Sequence, residues 1–344
     1  MRIAVTVDPE IPVPPKLYGG IERIVDMLVR GLVARGHDVT LFAHPESKVP
    51  CELQPYPCLY SRGAGNVTRN VGHISRQLRK GHYDLVHSFG RLAYLLPILP
   101  LRVPKVMSYQ RSISRRSIRA GELISRGTLH FTGCSQHLIY AWHGKPNFHV
   151  VYNGVPIGAY HANFDVPPDA PLVYLGRVEH IKGVHLAIKV AQQRGQRLQI
   201  AGNVPAEARH QAYFREEILP HLGGKNIEYV GAVDDAAKNQ LLGGASALLM
   251  PLLWDEPFGI VMAEALACGT PVIGLRRGSL PEIVENGVNG FVCDSLEQMV
   301  AAVGRVGQID RCQCRKIAEQ RFSDRVVVDD YERLYTGLLA EWRN

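Results

Sequence analysis

The sequence has 344 residues, of which 46% are hydrophobic and 21% charged, and its formal net charge is +7. This composition is typical of a globular protein and excludes an intrinsically disordered chain. The length exceeds that of a usual single domain and predicts two domains of roughly 150 to 180 residues, each able to bury a core. Seven scattered cysteines, an odd number, indicate reduced thiols rather than a disulfide framework or a zinc ribbon.

The N-terminal residues lead directly into an apolar, strand-like segment, without the apolar core and cleavage site of a signal peptide. The best apolar candidate for a membrane span, residues 92–101, is too short and contains two prolines. We therefore expect a cytoplasmic protein whose membrane contacts, if it has any, are peripheral.

Short apolar runs alternate with helix-length segments along almost the whole chain. Runs that are apolar on both faces and separated by amphipathic segments indicate parallel sheets covered by helices. The pattern restarts once, after prolines and a glycine interrupt it at residues 155–170. The predicted strands are 2–7, 38–43, 84–88, 105–109 and 129–133 in the first half, and 172–176, 198–202, 227–230, 247–251 and 271–275 in the second.

This restart predicts two doubly wound, Rossmann-like α/β domains, at residues 1–155 and 156–322. Ligands of open α/β sheets bind beyond the carboxyl ends of the strands, so both sets of loops could point into a shared cleft. The last segment, 323–344, has apolar residues at helical spacing and predicts a helix that packs back across the domain junction.

The basic surplus lies in the first half. Residues 1–155 contain 20 Lys and Arg against 9 Asp and Glu, whereas residues 156–344 contain 19 against 23. An anionic acceptor or an anionic membrane surface would suit these cations, and a solvated face that keeps the protein soluble is the alternative. Nucleic acid is disfavoured, because no binding motif or interleaved aromatic residues accompany the charge. The densest basic segment consists of Arg111, Arg115, Arg116, Arg119 and Arg126.

The most informative motif lies between the predicted strands 247–251 and 271–275. It places Glu256 in the loop before a helix and Glu264 within the first two turns of that helix. A ligand at the helix start could meet both carboxylates, while the backbone N–H groups there face a phosphate. A sugar nucleotide offers both kinds of group, although two glutamates at this spacing alone would indicate only capping and solubility. The residues that begin the helix are Phe258, Gly259, Ile260 and Val261.

This segment resembles the glutamate-seven-glutamate motif of the family 4 retaining glycosyltransferases, whose GT-B fold consists of two facing Rossmann-like domains. The resemblance implies that Glu256 binds hydroxyls of the donor sugar and that Glu264 binds the ribose. Phe258, Gly259, Ile260 and Val261 would complete the donor site. Other segments agree in the order that the family requires, so the resemblance covers nearly the whole chain.

Residues 175–183 resemble the strand-end segment in which an arginine and a lysine, here Arg177 and Lys182, hold the diphosphate of the donor. Two fixed cations could stabilise a departing nucleoside diphosphate without a metal ion. Residues 18–22, which include Gly19 and Gly20, resemble the N-terminal loop that meets the donor diphosphate and the acceptor. From the residues alone, an ordinary basic turn and a plain glycine turn are the alternatives.

Two further segments resemble the family. Residues 152–155 match an asparagine-glycine-valine signature at the domain junction, which we interpret as structural. Glu282, after the predicted strand 271–275, either lines the donor site or caps its helix.

The sequence departs from the family after the fourth predicted strand, where many relatives carry a histidine that faces the transferred sugar. Gln110 stands there and cannot accept a proton. In the front-face mechanism proposed for retaining members the leaving phosphate can accept it, so transfer need not be lost. Candidates for the cleft or the acceptor are therefore His87, Gln110 and Arg111, with a buried structural role as the alternative for His87.

The resemblance implies a retaining, metal-independent hexosyltransferase without a cofactor, using a UDP or GDP sugar as co-substrate. Its catalytic set would be Arg177, Lys182 and Glu256, and the sequence has no Asp-x-Asp segment to bridge a diphosphate through a metal. A polar, anionic or lipid-linked acceptor and a peripheral contact at the inner membrane face would suit the basic first half. The alternatives are a GT-B epimerase or phosphorylase and a catalytically degenerate nucleotide-sugar-binding subunit; the oligomeric state does not follow from the sequence.

Overall fold

A computed structural model of the chain describes residues 1–16, 19–224 and 226–343. These residues form two compact units. Unit 1 consists of Met1–Gly154 together with the segment from Asp324 onward, and unit 2 consists of Val155–Ser323.

Strands and helices alternate along the described residues. The strands are β1 (Arg2–Thr6), β2 (Asp38–Ala43), β3 (Glu52–Pro55), β4 (Leu85–Ser88), β5 (Lys105–Tyr109), β6 (Leu129–Gly133), β7 (Phe148–Val150), β8 (Leu172–Leu175), β9 (Leu198–Ala201), β10 (Ile227–Gly231), β11 (Ala247–Met250), β12 (Val272–Leu275) and β13 (Gly290–Cys293). The α-helices are α1 (Gly20–Ala34), α2 (Ala64–Lys80), α3 (Arg115–Ser125), α4 (Gln136–Ile139), α5 (Val184–Arg194), α6 (Ala208–Tyr213), α7 (Asp235–Gly243), α8 (Ile260–Ala267), α9 (Leu280–Ile283), α10 (Leu296–Val303), α11 (Arg311–Arg321) and α12 (Asp324–Arg343).

Each unit contains one sheet within the described ranges. The strand order is β3-β2-β1-β4-β5-β6-β7 in unit 1 and β10-β9-β8-β11-β12-β13 in unit 2. All of these neighbouring strands pair in parallel. The chain order reverses between β1 and β4 and between β8 and β11, which are the two positions where doubly wound sheets bind ligands. The predicted α/β fold class is confirmed.

The central strands are buried on both faces, which explains their continuous apolar runs. Ile3, Ala4 and Val5 of β1 have no exposed surface. Helix α1 buries one face only, with the spacing of a helix: its buried Ile24 and Leu28 lie four residues apart on the face toward the sheet.

Three strands, β3, β7 and β13, are absent from the sequence prediction. All three are edge strands of three or four residues. A short edge strand pairs on one side only and needs no long apolar run, so its pattern is weak.

The C-terminal helix α12 returns to unit 1, as predicted. Its Val328 packs directly on α1, where a Cβ at Gly31 would lie 2.4 Å from Val328 Cγ2. At the end of α1, Arg35 lies 2.5 Å from carboxylate oxygens of both Asp329 and Glu332. Among the helices that the structure describes, none has both the length and the apolar character needed to cross a bilayer.

Candidate functional site

Arg177 and Lys182 lie in the loop that follows β8, beside the reversal of strand order in unit 2. The guanidinium Nη1 of Arg177 lies 2.8 Å from Glu179 Oε1, and the side chain is 38% exposed. Lys182 forms an ion pair with Glu256, and its Nζ lies 4.6 Å from the ring centre of Trp254. The loop therefore carries two cations to the carboxyl end of the sheet.

A glycine allows this loop to lie against the chain that follows the neighbouring strand. Gly183 has a φ of 74°, in the left-handed region, and a Cβ there would lie 1.9 Å from the carbonyl oxygen of Pro251. Only glycine meets both requirements. Because Pro251 directly follows β11, this contact holds Lys182 close to the chain that leads to Glu256.

Glu256 lies in the loop after β11. Its Oε2 accepts a hydrogen bond from Trp254 Nε1 at 3.1 Å in addition to the ion pair with Lys182. The backbone N–H of Ser279 donates to the carbonyl oxygen of Glu256 at 3.0 Å. Next to it, a Cβ at Gly278 would lie 2.3 Å from the same oxygen. The loop after β12 thus fixes the backbone that presents Glu256.

Tyr174 of β8 connects these loops. Its hydroxyl donates a hydrogen bond to the carbonyl oxygen of Arg177 at 3.0 Å. Burial raises the pKa of this hydroxyl well above its usual range; Tyr213, Glu256 and Glu179 act in the same direction, and Arg177 opposes them. Charged groups of both loops therefore lie near enough to act on one buried phenol. No sequence pattern marks a tyrosine inside an apolar strand as part of such a site.

Helix α8 begins next to this cluster. Gly259 precedes it with a φ of 71°, and no side chain caps it. Gly259, Ile260 and Val261 are half-buried, whereas the remainder of the helix is buried. The N–H of Met262 already donates to the carbonyl oxygen of Gly259 at 2.9 Å. The N–H groups of Ile260 and Val261, at the two positions before it, are the ones that the start of α8 can offer to an external hydrogen-bond acceptor.

Glu264 is placed in the second turn of α8 and is only 5% exposed. Its Oε1 accepts hydrogen bonds from Lys238 Nζ at 2.6 Å and from the Tyr160 hydroxyl at 2.8 Å. Lys238 also lies 3.1 Å from Asp235 Oδ1. A ribose bound by Glu264 would share or replace these bonds. Sequence reasoning missed Lys238 and Tyr160, because neither stands in a distinctive local pattern.

Gly19 and Gly20 lie at the start of α1 in unit 1, while Tyr18 of the same predicted loop lies outside the described residues. A Cβ at Gly19 would come within 2.6 Å of Pro15 Cβ and 2.9 Å of Glu22 Oε2. No atom lies within 4 Å of the corresponding position at Gly20, which is exposed. The backbone at Gly20 is therefore open to approach.

Gln110 and Arg111 follow β5 and line a cavity of about 150 Å³ within unit 1. Asn153, of the asparagine-glycine-valine segment, donates a hydrogen bond from Nδ2 to Gln110 Oε1 at 2.6 Å. Arg111 Nη2 lies 3.4 Å from Asp8 Oδ2. Both predicted acceptor candidates thus border open space.

Comparison with known proteins identifies the family. The family model described as Glycosyltransferase Family 4 matches residues 18–158, and the one described as Glycosyl transferases group 1 matches residues 163–320. Glycogen synthase of Mycobacterium tuberculosis is 33% identical to this chain in an alignment that covers 81% of this chain and 80% of that protein. This chain is a family 4 glycosyltransferase.

Solved structures place the family 4 chain in the GT-B fold. Sucrose-phosphate synthase from Thermosynechococcus elongatus aligns with a TM-score of 0.78 at 18% identity, and the alignment covers 99% of this chain and 100% of the synthase chain. Anabaena HepE in complex with UDP-glucose aligns with a TM-score of 0.75 at 18% identity, covering 98% and 100%.

The interpretation of His87 as a cleft residue of this glycosyltransferase is wrong. Its side chain is wholly buried, with Nδ1 2.5 Å from the Tyr335 hydroxyl and Nε2 2.6 Å from Ser108 Oγ. Burial lowers the pKa of the imidazole to about 3. A neutral ring bonded on both sides has no atom to offer an acceptor, so the alternative structural role fits the geometry.

The side chain of Phe258, a residue predicted for the donor site, lies in the core of unit 2. Its ring is 2% exposed and packs against Phe322, with ring centroids 5.8 Å apart. Its carbonyl oxygen accepts a hydrogen bond from Ser279 Oγ at 2.8 Å. The side chain therefore supports the loop from the core and does not face a ligand.

Glu282 lies in α9, and its carbonyl oxygen accepts a hydrogen bond from Arg321 Nη2 at 2.7 Å.

Within the part of the chain that the structure describes, no three His, Cys, Asp or Glu side chains are grouped as the ligands of a metal ion. The charged groups that the loops after β8 and β11 bring together in unit 2 are two ion pairs, Arg177 with Glu179 and Lys182 with Glu256.

Proposed function

We propose that this glycosyltransferase moves a hexose from a UDP or GDP sugar to a polar acceptor, with retention of anomeric configuration. The observation that carries this proposal is the convergence of Arg177, Lys182 and Glu256 at the strand reversal of unit 2, beside the uncapped start of α8. HepE, a neighbour of the same fold, is described in complex with UDP-glucose, which supports a UDP sugar here.

In this proposal unit 2 binds the donor and unit 1 the acceptor. Arg177 and Lys182 hold the diphosphate, and Glu264 binds the ribose. The diphosphate competes with Glu256 for the Lys182 ammonium, so donor binding exchanges one ion pair for another. Glu256 then accepts hydrogen bonds from hydroxyls of the sugar, and the N–H groups at the start of α8 donate to phosphate oxygens.

The chemical step follows from these roles. The bond between the anomeric carbon and the phosphate oxygen breaks, and the oxygen of the acceptor hydroxyl bonds to the same face of that carbon. The leaving phosphate accepts the hydroxyl proton, because Gln110 cannot. The two fixed cations stabilise the charge on the departing diphosphate, which makes a metal ion and a cofactor unnecessary in this proposal.

A donor-binding experiment tests the proposal. A UDP or GDP sugar present at ten times its Kd should stabilise the fold by about 1.4 kcal/mol, or about 3 to 6 °C in Tm. The measurement is a thermal-shift screen of UDP and GDP sugars, repeated with EDTA, which should change nothing. Failure of every donor to raise Tm would contradict the proposal.

Product analysis then separates the alternatives. A retaining transferase forms a new glycosidic bond of the same anomeric configuration as the donor and releases the nucleoside diphosphate, which NMR and chromatography detect. An epimerase changes the sugar nucleotide without such a bond, and a phosphorylase releases a sugar phosphate. A binding subunit would show donor stabilisation without turnover over a broad acceptor panel.

We further propose that the enzyme is cytoplasmic and docks peripherally on the anionic inner membrane face through α3. Arg116 and Arg119 are exposed on this helix, and Leu123 is 83% exposed about one turn further along the same face. Exposed cations beside an exposed apolar side chain suit a surface of anionic headgroups.

Vesicle flotation tests this docking. The protein should float with phosphatidylglycerol vesicles and stay behind with phosphatidylcholine vesicles. Arg116→Gln and Arg119→Gln should each weaken the partition about fivefold, since one cation near such a surface contributes about 1 kcal/mol. Arg62→Gln, at an exposed arginine before α2, is the matched control. Equal flotation with both lipids would contradict the docking and support the alternative, in which the arginines form a solvated face.

A further inference from the structure

The carboxylate of Glu264 is held in unit 2 by two buried donors. Its Oε1 accepts hydrogen bonds from Lys238 Nζ at 2.6 Å and from the Tyr160 hydroxyl at 2.8 Å. Lys238 and Tyr160 are each 8% exposed, and the ammonium lies 5.5 Å from the centre of the tyrosine ring. Helix α8 itself is buried around Glu264. The carboxylate therefore has a fixed position before any ligand arrives.

A further set of bonds joins the two donors to each other. Lys238 lies in α7, and Tyr160 lies in the chain before β8. Asn239, next to Lys238, donates from Nδ2 to the carbonyl oxygen of Ala159 at 2.9 Å and accepts from the N–H of His161 at 3.3 Å. One amide thus bonds to both chain neighbours of Tyr160. Helix α7 and the Tyr160 segment consequently form one support for Glu264.

The other oxygen of Glu264 can accept further hydrogen bonds. A carboxylate oxygen accepts about two hydrogen bonds, and within the described residues both bonds of this carboxylate end on Oε1. Oε2 is also not one of the fully buried polar atoms that lack a partner. It therefore remains in contact with solvent and open to a donor group of a ligand.

The cations near Glu264 are occupied by protein oxygens. Lys238 Nζ also lies 3.1 Å from Asp235 Oδ1, so one ammonium faces two carboxylates. Two arginines of α11, Arg311 and Arg315, act on the same buried thiol as Glu264 does. Both donate to backbone carbonyl oxygens. What this region offers to a ligand is therefore the acceptor Oε2 and not a cation.

Such an acceptor binds O–H or N–H groups and repels phosphate oxygens. In the proposed function Glu264 meets the ribose of the donor, whose 2′ and 3′ hydroxyls are neighbours, whereas a 2′-deoxyribose lacks one of them. Because the carboxylate is already fixed, it loses little conformational freedom when a ribose binds. It also cannot turn away when the hydroxyl is missing, so Oε2 then loses water without gaining a donor.

We infer that Lys238 and Tyr160 are positioning residues that fix Glu264 for the ribose, and that the donor is for this reason a ribonucleotide sugar. Sugars carried by 2′-deoxyribonucleotides, such as those of thymidine diphosphate, are excluded. The inference rests on the proposed function for the contact between Glu264 and the ribose. It adds the residues that set this contact and the class of nucleotide that they select.

The direct test compares nucleotides that differ only in the 2′ hydroxyl. Calorimetry on the whole chain gives the Kd of UDP and of 2′-deoxy-UDP, and likewise of GDP and of 2′-deoxy-GDP. For the base that the enzyme accepts, we expect the deoxynucleotide to bind about 10-fold to 100-fold more weakly, the effect of one hydrogen bond to a charged group. Equal Kd values for the two members of that pair would overturn the inference.

Tyr160→Phe and Lys238→Met test the two positioning residues, because each removes one donor and keeps the apolar part of the side chain. Both should weaken the binding of the ribonucleotide and leave the deoxynucleotide near its wild-type Kd, so the ratio of the two Kd values should fall at least about threefold. General damage to the site would weaken both nucleotides equally, and that result would overturn the inference. Tyr331→Phe is the matched control, because it removes a buried, hydrogen-bonded hydroxyl from unit 1 and should leave the ratio unchanged.

The remaining outcomes separate this inference from the proposed function. If Lys238→Met fails to fold, because Glu264 is then buried without its ammonium, Tyr160→Phe decides, since it removes only one oxygen atom. Absence of binding by all four nucleotides to the wild type would contradict the proposed donor site and the inference with it. Discrimination between ribose and deoxyribose that persists in the variants would leave the donor site in place and overturn the role of Lys238 and Tyr160.

Discussion

Replacing Lys182 by alanine is expected to lower the rate of sugar transfer by about 100-fold to 1000-fold, the usual effect of removing one fixed group that stabilises transition-state charge. The ammonium is held in place by Gly183, by the Trp254 ring and by Glu256 before the donor arrives. Such a preorganised cation needs no rearrangement when charge develops on the diphosphate. The measurement is the steady-state rate of nucleoside diphosphate release with acceptor present.

The same substitution leaves Glu256 without its cation, which could weaken the fold independently of catalysis. The double variant Lys182→Ala/Glu256→Gln removes both charges and should recover the Tm lost by the single variant while transfer stays low. Arg197→Ala is the control for an ion pair elsewhere, because Arg197 pairs with Asp169 before the start of β9, at the opposite end of the strands. Transfer within threefold of the wild type in Lys182→Ala would remove this residue from the catalytic set.

The fold was predictable where a residue's position depends on local pattern. Strands such as Lys105–Tyr109 and Leu129–Gly133 agree with their predicted bounds, because two-sided burial requires a continuous apolar run. Edge strands such as Glu52–Pro55 were not predicted, because they pair on one side only and are partly exposed, so they need no continuous apolar run.

The candidate site likewise combines residues that could be named from the sequence with contacts that could not. Arg177, Lys182 and Glu256 were named through the resemblance to the family, and in the structure each lies in a loop after a strand whose carboxyl end meets the same edge of the sheet. Glu264 contacts Lys238 and Tyr160, which lie 26 and 104 residues away from it in the sequence. His87 was misplaced for this reason too: Tyr335, which helps to bury it, lies 248 residues further along the chain.

The burial of His87 has a consequence for acid stability. Its pKa is about 3 in the folded protein, below the ordinary value of 6.5, because burial disfavours the charged ring. The unfolded chain therefore binds a proton at a higher pH than the folded chain does. The stabilisation is complete above pH 6.5 and is lost progressively as the pH falls toward 3. Between pH 7 and pH 5 this one residue should cost unit 1 about 2 kcal/mol of unfolding free energy.

His87→Gln isolates this term, because glutamine can keep the hydrogen bond to Ser108 but does not titrate. Hydrogen exchange of unit 1 peptides at pH 7 and pH 5 gives the free energy of opening, and its decrease should be about 2 kcal/mol smaller in the variant than in the wild type. The control is His143→Gln, at an exposed histidine of the same unit. Its free energy of opening should decrease between pH 7 and pH 5 by the same amount as that of the wild type. If His87→Gln and the wild type lose equal stability, the ring is already charged in the folded protein. A charged ring could not remain fully buried between the hydroxyls of Tyr335 and Ser108, and the assignment of His87 to the core would then fail.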